Sequence, residues 1–289
     1  MSRFFVQVLM SLLLSCASGQ RPLTTIPIRP DGRLMVVPVD INGSRQWFMW
    51  DSGTPSLVID PRLVAELKLP VLKKDSITGT GIGSVAMSHA AAVTMQLGSE
   101  RYTAADPWVI DLSGVPIAKD VRGLVGADLW SRYAVRMNSQ KKTFELFRPG
   151  SYRPASDEVA LPLVVANNKM YVDVTLDVKP GLSRTERLRV DTGSEESVNA
   201  PIVGEALEVR RSILGNGLGQ NFEAVSGRLQ AVHIGPFTIR DVWGPGGKAP
   251  SIGMEMLRRF VVTFDAQAGK LYLKPTPALS EPVPPPPGG

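Results

Sequence analysis

The chain has 289 residues, 43% of them hydrophobic and 20% charged, with 27 Gly, 24 Pro and a single Cys. The apolar fraction excludes a wholly disordered chain, and one cysteine with two histidines excludes a disulfide framework and a thiolate/imidazole zinc site. The net charge of +5 comes from scattered residues and aromatics reach only 7%, which argues against a nucleic-acid stripe or a base-stacking platform.

In chain order, residues 1–19 read as a signal peptide: Arg3 precedes an apolar run from Phe4 to Leu14, too short to span a bilayer, and small residues follow. Cys16 after Leu13-Leu14-Ser15 resembles a bacterial lipobox, which makes it a candidate lipidation site. Cleavage after Ala17-Ser18-Gly19 is the competing reading. Either route implies export, to the periplasm, the outer membrane as a lipoprotein, or the medium. Residues 20–32 read as an extended tether. Then come short strand-like runs between turn signals: Leu34 to Ile41, Gln46 to Trp50, Met170 to Leu176 and Arg187 to Val190. Asn42-Gly43 between the first two is a hairpin signal. Helix is scarce, with Pro61 to Leu69 and Ala127 to Tyr133 as candidates. Residues 277–289 read as a Pro-rich disordered tail.

Between leader and tail the sequence repeats itself. Val125 to Leu146 aligns without gaps on Ile252 to Leu273 and pairs Asp128 with Glu255. Upstream, Gly79-Thr-Gly-Ile-Gly pairs with Gly215-Asn-Gly-Leu-Gly, and Asp51-Ser-Gly-Thr with Asp191-Thr-Gly-Ser, always in the same order. A duplicated chain explains this: a first lobe over 33–150, a second over 151–276, and a link near Pro149 to Asp157. The expected fold is all-β, two homologous barrel-like lobes with a few short helices.

Each Asp-Ser/Thr-Gly-Thr/Ser turn ends an apolar strand. One such turn alone is an ordinary cap or turn signal; two at equivalent places in a duplication bring Asp51 and Asp191 face to face. Two carboxylates about 3 Å apart share a proton, so one can act on water as a base while the other donates to a carbonyl oxygen. The proton belongs to the pair, and neither Asp is assigned as the permanent acid.

With these motifs the chain resembles the pepsin/retropepsin superfamily of aspartic proteases, closest to bacterial retropepsin-like aspartyl proteases, over about Leu34 to Lys274. The resemblance implies an aspartic endopeptidase with Asp51 and Asp191 as its catalytic pair and no metal or cofactor. It also implies an extended polypeptide substrate and a monomer, with no nucleic-acid partner and membrane contact only through a lipid anchor. Leu124-Val125-Gly126 and Ser251-Ile252-Gly253 match the elements that pack behind such turns, the second in part because Ser251 is not apolar. By the same resemblance Ser52 and Thr192 brace the two lobes, and Gly53 and Gly193 belong to the turns. Thr54 and Ser194 would hydrogen-bond the outer carboxylate oxygens, which implies a lowered dyad pKa and an acidic optimum. Gly79, Thr80, Gly81, Gly215 and Gly217 fall where flaps cover substrate, though Thr78 stands where pepsin-type flaps carry tyrosine. The alternative is a surface lipoprotein of the same fold that binds peptide without cutting it.

Other features read as structural. Ser88 and His89 are adjacent on a strand and point to opposite faces, so they cannot act as nucleophile and base. His89 and His233 read as surface or satisfied core histidines, and Asp128 and Glu255 as bracing groups. Lys141-Lys142 and Arg258-Arg259 read as solvated charge pairs.

Overall fold

The computed structural model describes residues 20–77, 83–214 and 222–285. The expected signal peptide with Cys16 lies outside them, as do the candidate flap residues Gly79, Thr80, Gly81, Gly215 and Gly217. The architecture is all-β, built from three sheets and a few one-turn to two-turn helices. One sheet of ten strands draws all of them from residues 29–125, and one of eight draws all of them from 164–252. The third, of six strands, joins the two halves.

Strand formation follows the local sequence. Leu34–Ile41 is almost continuously apolar and is buried along nearly its whole length. It turns into Ser44–Trp50 through Asn42 (φ 48°) and Gly43 (φ 86°), both left-handed as a two-residue hairpin of the right twist requires. Asp60 caps the helix Pro61–Glu66 by accepting from the Arg62 amide, with Pro at the first helical position.

The six-stranded sheet runs Thr24–Pro27, Thr143–Phe147, Ala134–Asn138, Phe260–Asp265, Lys270–Pro275, Val159–Pro162. Its central seam pairs the two copies of the sequence repeat. Arg136 stands opposite Thr263, its own counterpart, while Val135 faces Phe264, the counterpart of Met137, and Met137 faces Val262, the counterpart of Val135. A pseudo-two-fold axis therefore passes through the Arg136–Thr263 pair. Trp50, fully buried at the end of the strand leading to Asp51, rests edge-on against Phe144 of one half (5.2 Å) and Phe264 of the other (6.3 Å).

Both expected ends are corrected. Residues 20–32 are no free tether: Thr24–Pro27 is the edge strand of the joining sheet and Arg29–Asp31 pairs with the strand beginning at Leu34. Ile26 and Ile28 recur at the strand period and are buried, which outweighs the neighbouring prolines. Nor is the tail free up to residue 285. Pro277–Ser280 forms a short 3-10 helix, Val283 is buried, and Arg259 donates to the carbonyls of Ala278 (3.0 Å) and Glu281 (2.5 Å). Arg259 is accordingly fully buried rather than solvated, its charge met by Glu255 at 2.6 Å.

The leader strand makes a direct test. Ile26→Ala should cost about 2–4 kcal/mol in chemical denaturation, the range for truncating a buried aliphatic side chain. A free tether would lose nothing.

Candidate active site

Two carboxylate turns form the site, and each is built by its own half in the same way. The strand Val121–Val125 runs parallel to the strand ending at Trp50 and antiparallel to Val58–Ile59, so it fills the space between them. Ser251–Ile252 does the same between Leu182–Val190 and Val198–Asn199. Through these inserted strands Val125 accepts from the Asp51 amide (2.9 Å) and Ile252 from the Asp191 amide (3.0 Å). The glycines that follow are needed for close approach. A Cβ on Gly126 would stand 2.3 Å from the Thr54 carbonyl oxygen, and one on Gly253 2.5 Å from that of Glu196.

The two turns lock onto each other through four buried hydrogen bonds. Ser52 Oγ donates to the Val190 carbonyl (2.8 Å) and accepts from the Thr192 amide (3.0 Å). Thr192 Oγ1 donates to the Trp50 carbonyl (3.0 Å) and accepts from the Ser52 amide (2.8 Å). Each carboxylate then lies against the glycine of the opposite turn. A Cβ on Gly193 would sit 2.5 Å from Asp51 Cγ, and one on Gly53 would sit 2.7 Å from Asp191 Oδ1 and 3.1 Å from Asp51 Oδ1. One point in space is thus in contact with both carboxylates, and only glycine leaves it open.

Within each turn the glycine amide donates to the carboxylate, Gly53 to Asp51 Oδ1 (2.8 Å) and Gly193 to Asp191 Oδ1 (3.2 Å). The hydroxyls of Thr54 and Ser194 do not serve the carboxylates, which corrects the expectation for them. Thr54 Oγ1 donates to the Ser56 carbonyl and Ser194 Oγ accepts from the Glu196 amide, so each braces its own turn.

Two charged side chains that the sequence reading did not single out complete the site. Arg189 donates from Nη2 to Asp191 Oδ2 and its side chain is only 15% exposed. Glu196 lies mostly buried near Asp191. The signal for Arg189 is strand period: two residues before Asp191, it shares that residue's face. For Glu196 the signal was a carboxylate inside a turn whose first-lobe counterpart is Ser56.

Burial, and then the charge of Asp191, push the Asp51 carboxyl up to about 7 against the amides of Gly53 and Thr54 and the Arg189 charge. The acidic shift expected from hydroxyl donors is therefore corrected: those donors are turned away, and desolvation wins. Burial followed by the Asp191 charge also pushes Glu196 up to about 7.

Behind the second turn, Glu255 is a brace. Burial opposes its ionisation, but Arg258 and Arg259, with Arg33 from the start of the first half (2.6 Å), hold its carboxyl below the usual range. Its amide donates to the Glu196 carbonyl (3.1 Å). Its counterpart Asp128 accepts from the Leu57 amide, and burial pushes its carboxyl up. His89 pairs with Asp106 (2.6 Å) and His233 with Asp177 (2.7 Å). Among the described residues no group of three or more His, Cys, Asp or Glu could hold a metal ion.

Residues 37–129, which contain the first turn and its inserted strand, match the family model for aspartyl proteases. The match covers only this part of the first half, and it supports a likeness to the aspartic protease superfamily. No curated protein matches it. The Asp-Ser/Thr-Gly turn occurs twice in the chain, once inside the matched residues, and the match supports proteolytic activity of the aspartic type in general.

The raised carboxyls carry a sign that stability can test. In the unfolded chain Asp51 titrates near the usual value of about 4. A folded value of about 7 therefore contributes stability that is fully present below about pH 4 and lost as pH rises through 7. The melting temperature of Asp51→Asn, relative to wild type, should rise progressively from about pH 4 to about pH 8. A difference that stays flat over that range would show that Asp51 is not raised. Ser52→Ala leaves buried backbone groups unpaired and should cost about 1–3 kcal/mol in the same assay.

Proposed function

We propose that the protein is an aspartic endopeptidase that hydrolyses peptide bonds with water, using Asp51 and Asp191 as one proton-sharing pair. The observation that carries this reading is that the two carboxylates are brought together, each lying against the glycine of the opposite turn. A water held between the two carboxylates would give its proton to the ionised one as its oxygen attacks the peptide carbonyl carbon. The protonated carboxyl would donate to the carbonyl oxygen, so no charge is left unmatched. Collapse of the tetrahedral intermediate returns that proton to the pair and breaks the carbon–nitrogen bond, and the amine leaves protonated by the other carboxyl. The lock between Ser52 and Thr192 holds both groups in place before substrate arrives, which is what positioning contributes.

The substrate is an extended polypeptide lying across both halves. Both turns come from one chain, which favours a working monomer. The charged start, short apolar run and small residues of 1–19 favour export, with Cys16 as the lipid attachment point, and a bacterial source for that pattern. Among the described residues no helix is long and apolar enough to cross a membrane.

Incubation with a proteome-derived peptide library, from about pH 3 to about pH 8, tests the reading. Wild type should cleave, and Asp51→Asn and Asp191→Asn should each lose at least about a hundredfold in kcat/KM. The rate should hold toward neutrality and fall above about pH 7, where Asp51 gives up the shared proton. Cleavage that survives both substitutions would overturn the proposed pair. Binding without cleavage by well-folded wild type would favour the peptide-binding lipoprotein instead.

A further inference from the structure

The two halves match in backbone but not in charge. Arg189 precedes Asp191 by two residues on the same strand face; the residue two before Asp51 is Met49, apolar and buried. Asp191 therefore has a donor on each oxygen, the Gly193 amide on Oδ1 and the Arg189 guanidinium on Oδ2. Asp51 receives only backbone amides. A carboxylate that accepts on both oxygens, once from a cation, is suited to stay ionised.

We propose that Arg189 is a positioning residue that breaks the equivalence of the two carboxylates, fixing negative charge on Asp191 and leaving the shared proton on Asp51. Asp191 is then the base that takes the proton from water, and Asp51 the acid that serves the carbonyl oxygen. This assignment deepens the peptidase reading and rests on it for its catalytic meaning.

Among the described residues, the surroundings of Arg189 hold no competitor of equal strength. Tyr171 stands opposite it across the ladder and Ser251 beside it on the inserted strand. From the other half Asp51 acts on its charge. Glu196 opposes negative charge at Asp191, but it makes no hydrogen bond there, whereas the guanidinium is in direct contact. Arginine stays charged at every pH at which the pair titrates. The upward push on Asp51 is consistent with the same division of roles.

The test reads the proton directly. In protein labelled with 13C at the aspartate carboxyls, the two resonances are assigned with Asp51→Asn and Asp191→Asn and recorded at about pH 5.5, between the usual carboxylate range and neutrality. In wild type the Asp51 resonance should be that of an acid and the Asp191 resonance that of a carboxylate. Arg189→Lys should keep this separation. In Arg189→Met, and in Arg189→Gln should the Met variant fail to fold, the two should converge and move together with pH. Unchanged separation in the folded uncharged variant, or converged resonances in wild type, would overturn the assignment. Cleavage is scored separately. A wild type that cuts nothing sinks the peptidase reading while the resonances still decide where the proton resides. If it does cut, the acid limb of its kcat/KM profile should move to higher pH in Arg189→Met and return in Arg189→Lys. A merely structural role would lower the rate without moving the limb.

Discussion

The exchange of hydroxyls and amides between Ser52 and Thr192 is the constraint on which the site depends. Four bonds close a cycle: each side-chain oxygen donates to the carbonyl before the opposite carboxylate and accepts from the amide after it. All of these groups are buried, so a missing partner would leave polar atoms desolvated and unpaired. Neither half can satisfy its own turn. Association of the halves and alignment of the carboxylates are therefore one event, and the joining sheet, with Arg136 opposite Thr263, extends the same axis beneath the site.

This arrangement holds the carboxylates where water alone would not leave them. Asp51 is desolvated and faces a like charge, and Glu196 adds a third carboxyl near Asp191. Such groups destabilise the folded chain at neutral pH, and perturbed carboxyls gathered at one place are what acid–base chemistry requires. The rest of the fold offsets that cost. The inserted strands pin both aspartate amides, Trp50 packs on aromatics from both halves, and Glu255 gathers Arg33, Arg258 and Arg259 behind the second turn. Glu255 also ties the start of the first half to the tail, because Arg33 stands just before the strand Leu34–Ile41 and Arg259 holds the tail.

How much of this could be read in the sequence depended on whether the cause was local or repeated. The duplication is a pattern of many residues, so the meeting of equivalent positions followed from it, while the many short strand-like runs with few helices pointed to the all-β architecture. The leader was obscured because Pro22, Pro27 and Pro30 suggest a tether, whereas Ile26 and Ile28 are too few to advertise a strand without knowledge of the sheet edge they complete. Arg259 looked solvated because most of its partners are backbone carbonyls of a distant tail, which no side-chain pattern encodes. The hydroxyls of Thr54 and Ser194 were assigned by resemblance alone. Their real acceptor and donor lie two residues onward in their own turns, and that choice is decided by turn geometry. Arg189 was legible in principle, since strand alternation puts it beside Asp191.

The departure from symmetry at Arg189 and Glu196 has a physical logic. A strictly two-fold pair of turns presents the same face to a peptide lying in either direction, yet a peptide bond is directional: one side carries the carbonyl, the other becomes the leaving amine. A proton shared equally would be on the wrong carboxyl half of the time for any one binding direction. The duplication supplied two equivalent turns, and divergence could then act on side chains without disturbing the lock between them. Changing Met49's counterpart to Arg189 alters the charge next to one carboxylate while both strands, both inserted segments and all four locking bonds keep their form. Backbone symmetry brings the carboxylates together, and side-chain asymmetry gives the pair a direction.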